Sequence, residues 1–433
     1  MGRVRSFARR ATLRVAAAVR AVRGRATLAL GGPGSMEIVA YRGYGSPDRL
    51  HVKGRVLADK GLRPARADDR LWRNLRNMRK RVLSSPIPGA RLTATFQGRT
   101  LHVTADDLGY FDVWIRPTEP LAPGRSWEEV PLELLAPLDR RQGAVKATAQ
   151  VRVPGPRTRY VVVSDMDDTV VRTGATSVLS LLRESFTGNA YTRAPFPGVA
   201  ALYRALRAGA TGDEENPLLF VSRSPWNLYD LFDQFLQLHD IDERPVIFLR
   251  RWGFTEEGLS LADVKGHKYA LISQMLDLHA GLPFILVGDS GQKDPEVYRE
   301  VIRTYPGRVL AVYIRSVSRE PARARAVRAL ARDVAAQGST LVLAADSVEM
   351  ARHAARSGWI DPAAVSAVAG ERAIERDAGV RVDERPARRV GGADAAETVA
   401  AVSRGALDRA LDAAEEERAP VVVESERPDR RGR

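Results

Sequence analysis

The chain has 433 residues, 44% hydrophobic and 28% charged, long enough for two or three domains of about 150 residues, each with a sizeable core. Its apolar runs are strand-sized, well short of the ~18 uncharged residues a membrane span needs, so no transmembrane segment is expected. With no cysteine, disulfides, thiolate metal sites and thiol nucleophiles are excluded, and any metal must be held by oxygen or nitrogen.

The net charge of +14 is unevenly spread: residues 1–30 carry +8 and 31–157 carry +9, while 158–361 carry −1 and 362–433 carry −2. A basic excess confined to the first part of the chain points to an anionic partner there, a membrane surface or nucleic acid. At 100° per residue, Val4, Phe7, Ala8, Ala11, Val15, Ala18, Val19 and Val22 share one face of residues 1–30, and most arginines lie opposite. Such a basic amphipathic helix can lie on anionic lipid, each arginine contributing about 1 kcal/mol. A basic tail without structure and an Arg-rich transit peptide are the alternatives.

Residues 31–157 alternate in short runs at 36–44, 51–57, 91–96, 100–104, 110–115 and 145–153, the pattern of a small β-sandwich domain. Between them, 69–84 reads as a helix with Leu71, Leu75, Met78 and Val82 on one stripe and arginines around it, a solvated face. From 158 to 361 the pattern changes to apolar runs at 160–163, 218–221, 246–249, 284–287, 309–314 and 341–343. Helical stretches at 225–239, 267–279 and 347–357 lie among them, which implies a parallel sheet with helices on both faces. Residues 362–433, rich in Ala, Arg and Glu, read as a largely disordered tail.

Ligands of open parallel sheets bind beyond the carboxyl ends of the strands. Four regions at that rim carry polar residues: Ser164-Asp165-Met166-Asp167-Asp168-Thr169, Ser222-Arg223-Ser224-Pro225, Lys265-Gly266-His267-Lys268, and Gly288-Asp289-Ser290-Gly291-Gln292-Lys293-Asp294. This set resembles the four motifs of the haloacid dehalogenase superfamily of phosphotransferases: Asp-x-Asp-x-Thr, a strand-terminal Ser/Thr, a Lys, and Gly-Asp followed by a second Asp. Longer strings narrow it. Pro195-Phe-Pro-Gly-Val199, Phe220-Val-Ser-Arg-Ser-Pro-Trp-Asn-Leu-Tyr229 and Pro283-Phe-Ile-Leu-Val-Gly-Asp-Ser-Gly-Gln-Lys-Asp-Pro-Glu-Val-Tyr298 resemble the actin-patch-type phosphatidate phosphatases over about 36–361.

The resemblance implies an α/β, Rossmann-like haloacid dehalogenase domain with a parallel sheet and a minimal cap, preceded by the β-sandwich domain. It also implies Mg²⁺-dependent hydrolysis of phosphatidate to diacylglycerol and phosphate. A phosphate monoester dianion must be neutralised before it can be attacked, which carboxylate-held Mg²⁺ and a lysine can do. Asp165 is then the nucleophile, and Asp167 the acid that protonates the leaving oxygen and later activates water. Thr169 completes the first motif, Ser222 donates to the phosphoryl group, and Lys268 neutralises it, with Lys265 competing for that role. Asp165, the Asp167 carbonyl and Asp289 would hold the metal, and Asp294 either joins them or positions Lys268. Spacing leaves room for one short helical insert near 177–187 and for no full cap, so a bulky lipid could reach the rim. The expectation is a cytoplasmic enzyme peripheral to an anionic membrane surface, with nucleic acid unlikely as partner. The competing readings are a phosphatase of phosphoproteins or polynucleotide ends, and a non-catalytic membrane-associated scaffold; oligomeric state is left open.

Overall fold

The computed structural model describes residues 35–58, 86–122, 124–139, 142–166, 195–250, 261–318 and 320–383. The helices expected at 1–30 and 69–84, the insert at 177–187, and the tail beyond 383 lie outside these residues. Among the described residues no helix is long and apolar enough to cross a membrane.

The N-terminal part forms seven strands: β1 (Met36–Ser46), β2 (Arg49–Ala58), β3 (Arg91–Phe96), β4 (Arg99–Thr104), β5 (Tyr110–Ile115), β6 (Trp127–Ala136) and β7 (Lys146–Arg152). Period-two patterning builds them: in β6, Val130, Leu132 and Leu134 are buried while Glu129 and Leu135 face out. β6 is not among the expected strands, because Pro131 stands in its middle and proline argues against a central strand. The strand survives because its pairing with β3 ends at Leu132, so the residue without an N–H adjoins the end of that ladder.

The expected two-layer sandwich is corrected. All seven strands belong to one sheet, ordered β4-β3-β6-β7-β1-β2-β5. Pairing is antiparallel except between β1 and β7. The edge strands β4 and β5 approach each other, so the sheet curls around one core that includes Leu50, Val52, Leu92, Leu132 and Val151. Alternation marks which residues face inward but is the same for one curled sheet and for two stacked ones. A register shift in β1 between Tyr41 and Tyr44 bends the sheet. Gly43 sits inside it, where a Cβ would lie 2.0 Å from the His51 carbonyl oxygen.

The second sheet is wholly parallel. It comprises β8 (Val161–Asp165), β9 (Leu218–Pro225), β10 (Val246–Arg250), β11 (Phe284–Asp289), β12 (Val309–Arg315) and β13 (Thr340–Ala344). Its order, β10-β9-β8-β11-β12-β13, is that of a doubly wound sheet, whose connections change direction between β8 and β11 and open a crevice at their carboxyl ends. Helices are α1 (Val199–Ala208), α2 (Tyr229–Leu238), α3 (Leu261–Leu278), α4 (Asp294–Thr304), α5 (Pro321–Ala335), α6 (Ser347–Arg356) and α7 (Ala364–Asp383). Both faces of the sheet are covered, hence the unbroken apolar runs. Val161 and Val163 pack with α3, α4 and α5, and Val162 and Phe220 with α1, α2 and α6.

The two sheets share these cores. Tyr41 of β1 packs beside Trp226 and Tyr229 at centroid distances of 5.0 and 4.5 Å, and Tyr44 meets Phe248 edge-on at 4.7 Å. The Arg42 main-chain N–H donates to the Tyr229 hydroxyl at 3.0 Å, and its side chain pairs with Asp233. Helix α7 occupies the first part of 362–433, the stretch expected to be a largely disordered tail. It remains ordered because Val368 joins the core, while Glu371 and Glu375 accept the N–H groups of Ala201 and Gly198 at 2.9 and 2.6 Å, supplying the carboxylates that a helix start favours.

Candidate active site

Asp165 ends β8 and Asp289 ends β11, its parallel neighbour across the crevice. On the other side of β8, Val221 of β9 pairs with Asp165, which puts Ser222 one residue further along the same rim. Lys268 comes from α3 and Asp294 opens α4. Asp165, Ser222, Lys268, Asp289 and Asp294 are each at most 3% exposed, and buried charges persist only when paired.

Lys268 supplies the pairing. Its Nζ donates to Asp165 Oδ1 at 2.7 Å and to Asp294 Oδ1. The other Asp294 oxygen accepts the Asp289 main-chain N–H at 3.3 Å. Gly288 makes that approach possible, since a Cβ there would stand 2.5 Å from Asp294 Oδ2. Asp289 Oδ1 accepts the N–H groups of Gly291 and Gln292 at 2.6 and 2.9 Å. Burial by itself would lower the Lys268 pKa, but Asp165 and Asp294 outweigh it and hold the ammonium above its ordinary value. Burial and then the Asp294 carboxylate push Asp289 up to about 7, against the lowering effect of its two N–H donors and Lys268.

Three carboxylates against one ammonium leave an excess of negative charge. Asp165, Asp289 and Asp294 each offer an oxygen within 4.8 Å of the others, and the buried Asp289 Oδ2 has no hydrogen-bond partner among the described residues. An orphaned carboxylate oxygen in an all-oxygen donor set fits a hard divalent cation such as Mg²⁺.

The structure thus brings together Asp165, Ser222, Lys268, Asp289 and Asp294, drawn from four separate stretches of chain. Asp167, Asp168 and Thr169 lie outside the described residues, as does the Lys265 side chain; the ammonium at the carboxylates is that of Lys268.

Two supports were not expected. Tyr203 donates to Ser164 Oγ at 2.6 Å, whose hydroxyl donates to the Asp165 carbonyl at 2.8 Å. Burial pushes the Tyr203 phenol up to about 12, so it stays a donor. Arg315 ends β12 opposite Asp289, is 4% exposed, donates to Ser347 Oγ at 2.7 Å and lies 4.5 Å from the Phe196 ring centroid. Its one sequence signal is its place at a strand's carboxyl end.

Acidic residues and a lysine thus meet at the crevice of the doubly wound parallel sheet, an arrangement that can hold a phosphate group beside a cation. Residues 160–316 match the family model described as the catalytic domain of phosphatidate phosphatase APP1. Phosphatidate phosphatase APP1 of Saccharomyces cerevisiae is 30% identical over 158 residues, covering 36% of this chain and 26% of that protein. An uncharacterised protein of Schizosaccharomyces pombe is 25% identical over 157 residues, covering 36% of this chain and 25% of that protein. The chain therefore spans about a quarter of the length of these curated relatives. Among solved structures, a carbohydrate acetylesterase from Xanthomonas citri is 14% identical, covers 63% of this chain and 66% of that chain, and has a TM-score of 0.22, too low to bear on fold or function.

Proposed function

We propose that the protein is a Mg²⁺-dependent phosphatidate phosphatase working through an aspartyl-phosphate on a haloacid dehalogenase-type scaffold. The observation that carries this is the buried cluster of Asp165, Asp289, Asp294 and Lys268, which lies within the stretch matching the family model. Mg²⁺ held by Asp165, Asp289 and the Asp167 carbonyl would supply positive charge against the phosphate dianion.

An Asp165 carboxylate oxygen attacks phosphorus, forming an O–P bond as the ester O–P bond breaks. Asp167 gives its proton to the departing glycerolipid oxygen, releasing diacylglycerol, and then takes a proton from the water that attacks the phospho-aspartate. The Asp165–phosphorus bond breaks and inorganic phosphate leaves. Ser222 donates to the transferring oxygens and Lys268 neutralises them. Asp294 spends one oxygen on Lys268 and the other on the Asp289 amide, which favours a positioning role for it over metal ligation. The basic excess of residues 1–157 favours an anionic lipid surface as the place of work, with the enzyme peripheral to it on the cytoplasmic side.

The test is phosphate release from phosphatidate in mixed micelles, with a soluble phosphomonoester in parallel. Release that stops with chelator and falls at least ~10³-fold in Asp165→Asn supports the reading. Turnover of the soluble ester alone discards the lipid, and silence on both discards the enzyme.

A further inference from the structure

The described residues show what holds Asp289 in place, and the fastening comes from beyond the stretch that matches the family model. Asp289 Oδ1 is fixed by two consecutive N–H groups, those of Gly291 and Gln292. Such a pair points one way only if the loop carrying it has one conformation. Gly291 can follow many backbone paths, so the loop needs an outside tie.

Arg323, in the first turn of α5, provides one. Its Nε donates to the Ser290 carbonyl at 2.7 Å and its Nη2 to the Gln292 carbonyl at 2.5 Å. Both terminal nitrogens also reach the Glu296 carboxylate, Nη2 to Oε2 at 3.1 Å and Nη1 to Oε1. A planar guanidinium thus bridges the two carbonyls that flank Gly291 and braces itself on Glu296 of α4. The loop is tied a second time through Ser290, whose Oγ accepts the N–H groups of Val317 and Ser318 at 3.0 and 3.1 Å. Four bonds from one side chain to three residues is far more than a surface arginine needs for solvation, and the Arg323 side chain is 20% exposed. A lysine could replace the charge but not the fork.

We propose that Arg323 is a positioning residue for the cation site: it fixes the 290–292 loop so that Gly291 and Gln292 hold Asp289 Oδ1 and leave Oδ2 directed at the cation. This rests on the reading of Asp289 as a metal ligand. Partners that orient a metal ligand typically change affinity by about 10- to 100-fold when removed, and that is the effect expected here.

The measurement is Mg²⁺ binding by calorimetry on the full chain, for wild type, Arg323→Gln, Arg323→Lys, Glu296→Gln and Asp289→Asn, with thermal unfolding of each in EDTA. Arg323→Gln should raise the Kd for Mg²⁺ about tenfold or more while phosphate release recovers to within about threefold of wild type at saturating Mg²⁺. Arg323→Lys should fail to restore the affinity, and Glu296→Gln, which leaves the arginine present but unbraced, should weaken binding by a smaller factor. Should Arg323→Gln not fold, Glu296→Gln and Arg323→Lys decide alone. Folded Arg323 variants with wild-type Kd, beside an Asp289→Asn that has lost binding, overturn the positioning role and leave the metal reading standing. Wild-type Kd in Asp289→Asn overturns the ligand role of Asp289 itself, and the proposal with it.

Discussion

Asp289→Asn should make the cation-free protein more stable and the enzyme inactive. Asp289 is held at about 7 against an ordinary 3.8, so between those values the folded chain keeps a proton that the unfolded chain has released. Stability is therefore greatest below the unfolded value, falls as pH rises through the folded one, and levels off above it. Ionising Asp289 in the folded chain therefore costs on the order of a few kcal/mol, at ~1.4 kcal/mol per pH unit of raised pKa. Asparagine carries no such cost. Its carbonyl oxygen can keep the N–H groups of Gly291 and Gln292, and its amide can face the carboxylates of Asp165 and Asp294 instead of repelling them. In EDTA at pH 8 the variant should gain about 2–4 kcal/mol, or roughly 4–12 °C in Tm at ~2–3 °C per kcal/mol. At pH 4 the gain should vanish, since wild-type Asp289 is then protonated as well. Urea or thermal unfolding of both proteins from pH 4 to 8 reads this difference directly, and adding Mg²⁺ should stabilise the wild type alone. Parallel curves, or a variant less stable at pH 8, would refute the reasoning that burial and Asp294 set the charge state of Asp289.

Gly288→Ala places a methyl 2.5 Å from Asp294 Oδ2 and 2.9 Å from the Tyr298 ring; it should cost about 1–3 kcal/mol in urea unfolding and depress turnover further by moving Asp294 off Lys268. Tyr44→Ala should cost about 3–5 kcal/mol. Because that tyrosine lies in the parallel-sheet core, calorimetry should still show one transition, and two would refute the shared core.

Much of the candidate site was legible because it sits where strands end. Asp165, Ser222 and Asp289 each follow an apolar run, and the run itself tells the reader which rim they occupy. Lys268 was narrowed to two candidates, since helical position alone does not say which lysine turns toward the strands. Arg315 and Arg323 were missed: each is one of 60 arginines, and what separates them from the rest is the Phe196 ring and Ser347 in one case, Ser290, Gln292 and Glu296 in the other. In the first sheet, β6 was hidden by Pro131, and α7 by an Ala- and Arg-rich stretch with no strand or cap signal to mark it.

By itself the sequence determined the local states and their direction: alternation for the curled sheet, continuous apolar strands between helices for the parallel one, and polar residues at the carboxyl rim. These are encoded within a few residues of each other, where backbone geometry and side-chain period act. Only the tertiary structure decided whether seven strands make one sheet or two, and which oxygens of the acidic cluster are spent. Lys268 meets Asp165 across 103 positions and Asp294 across 26. Contacts at that range follow from the order in which strands pair and from how closely Gly288 lets α4 approach β11, and neither is written in any local stretch of chain.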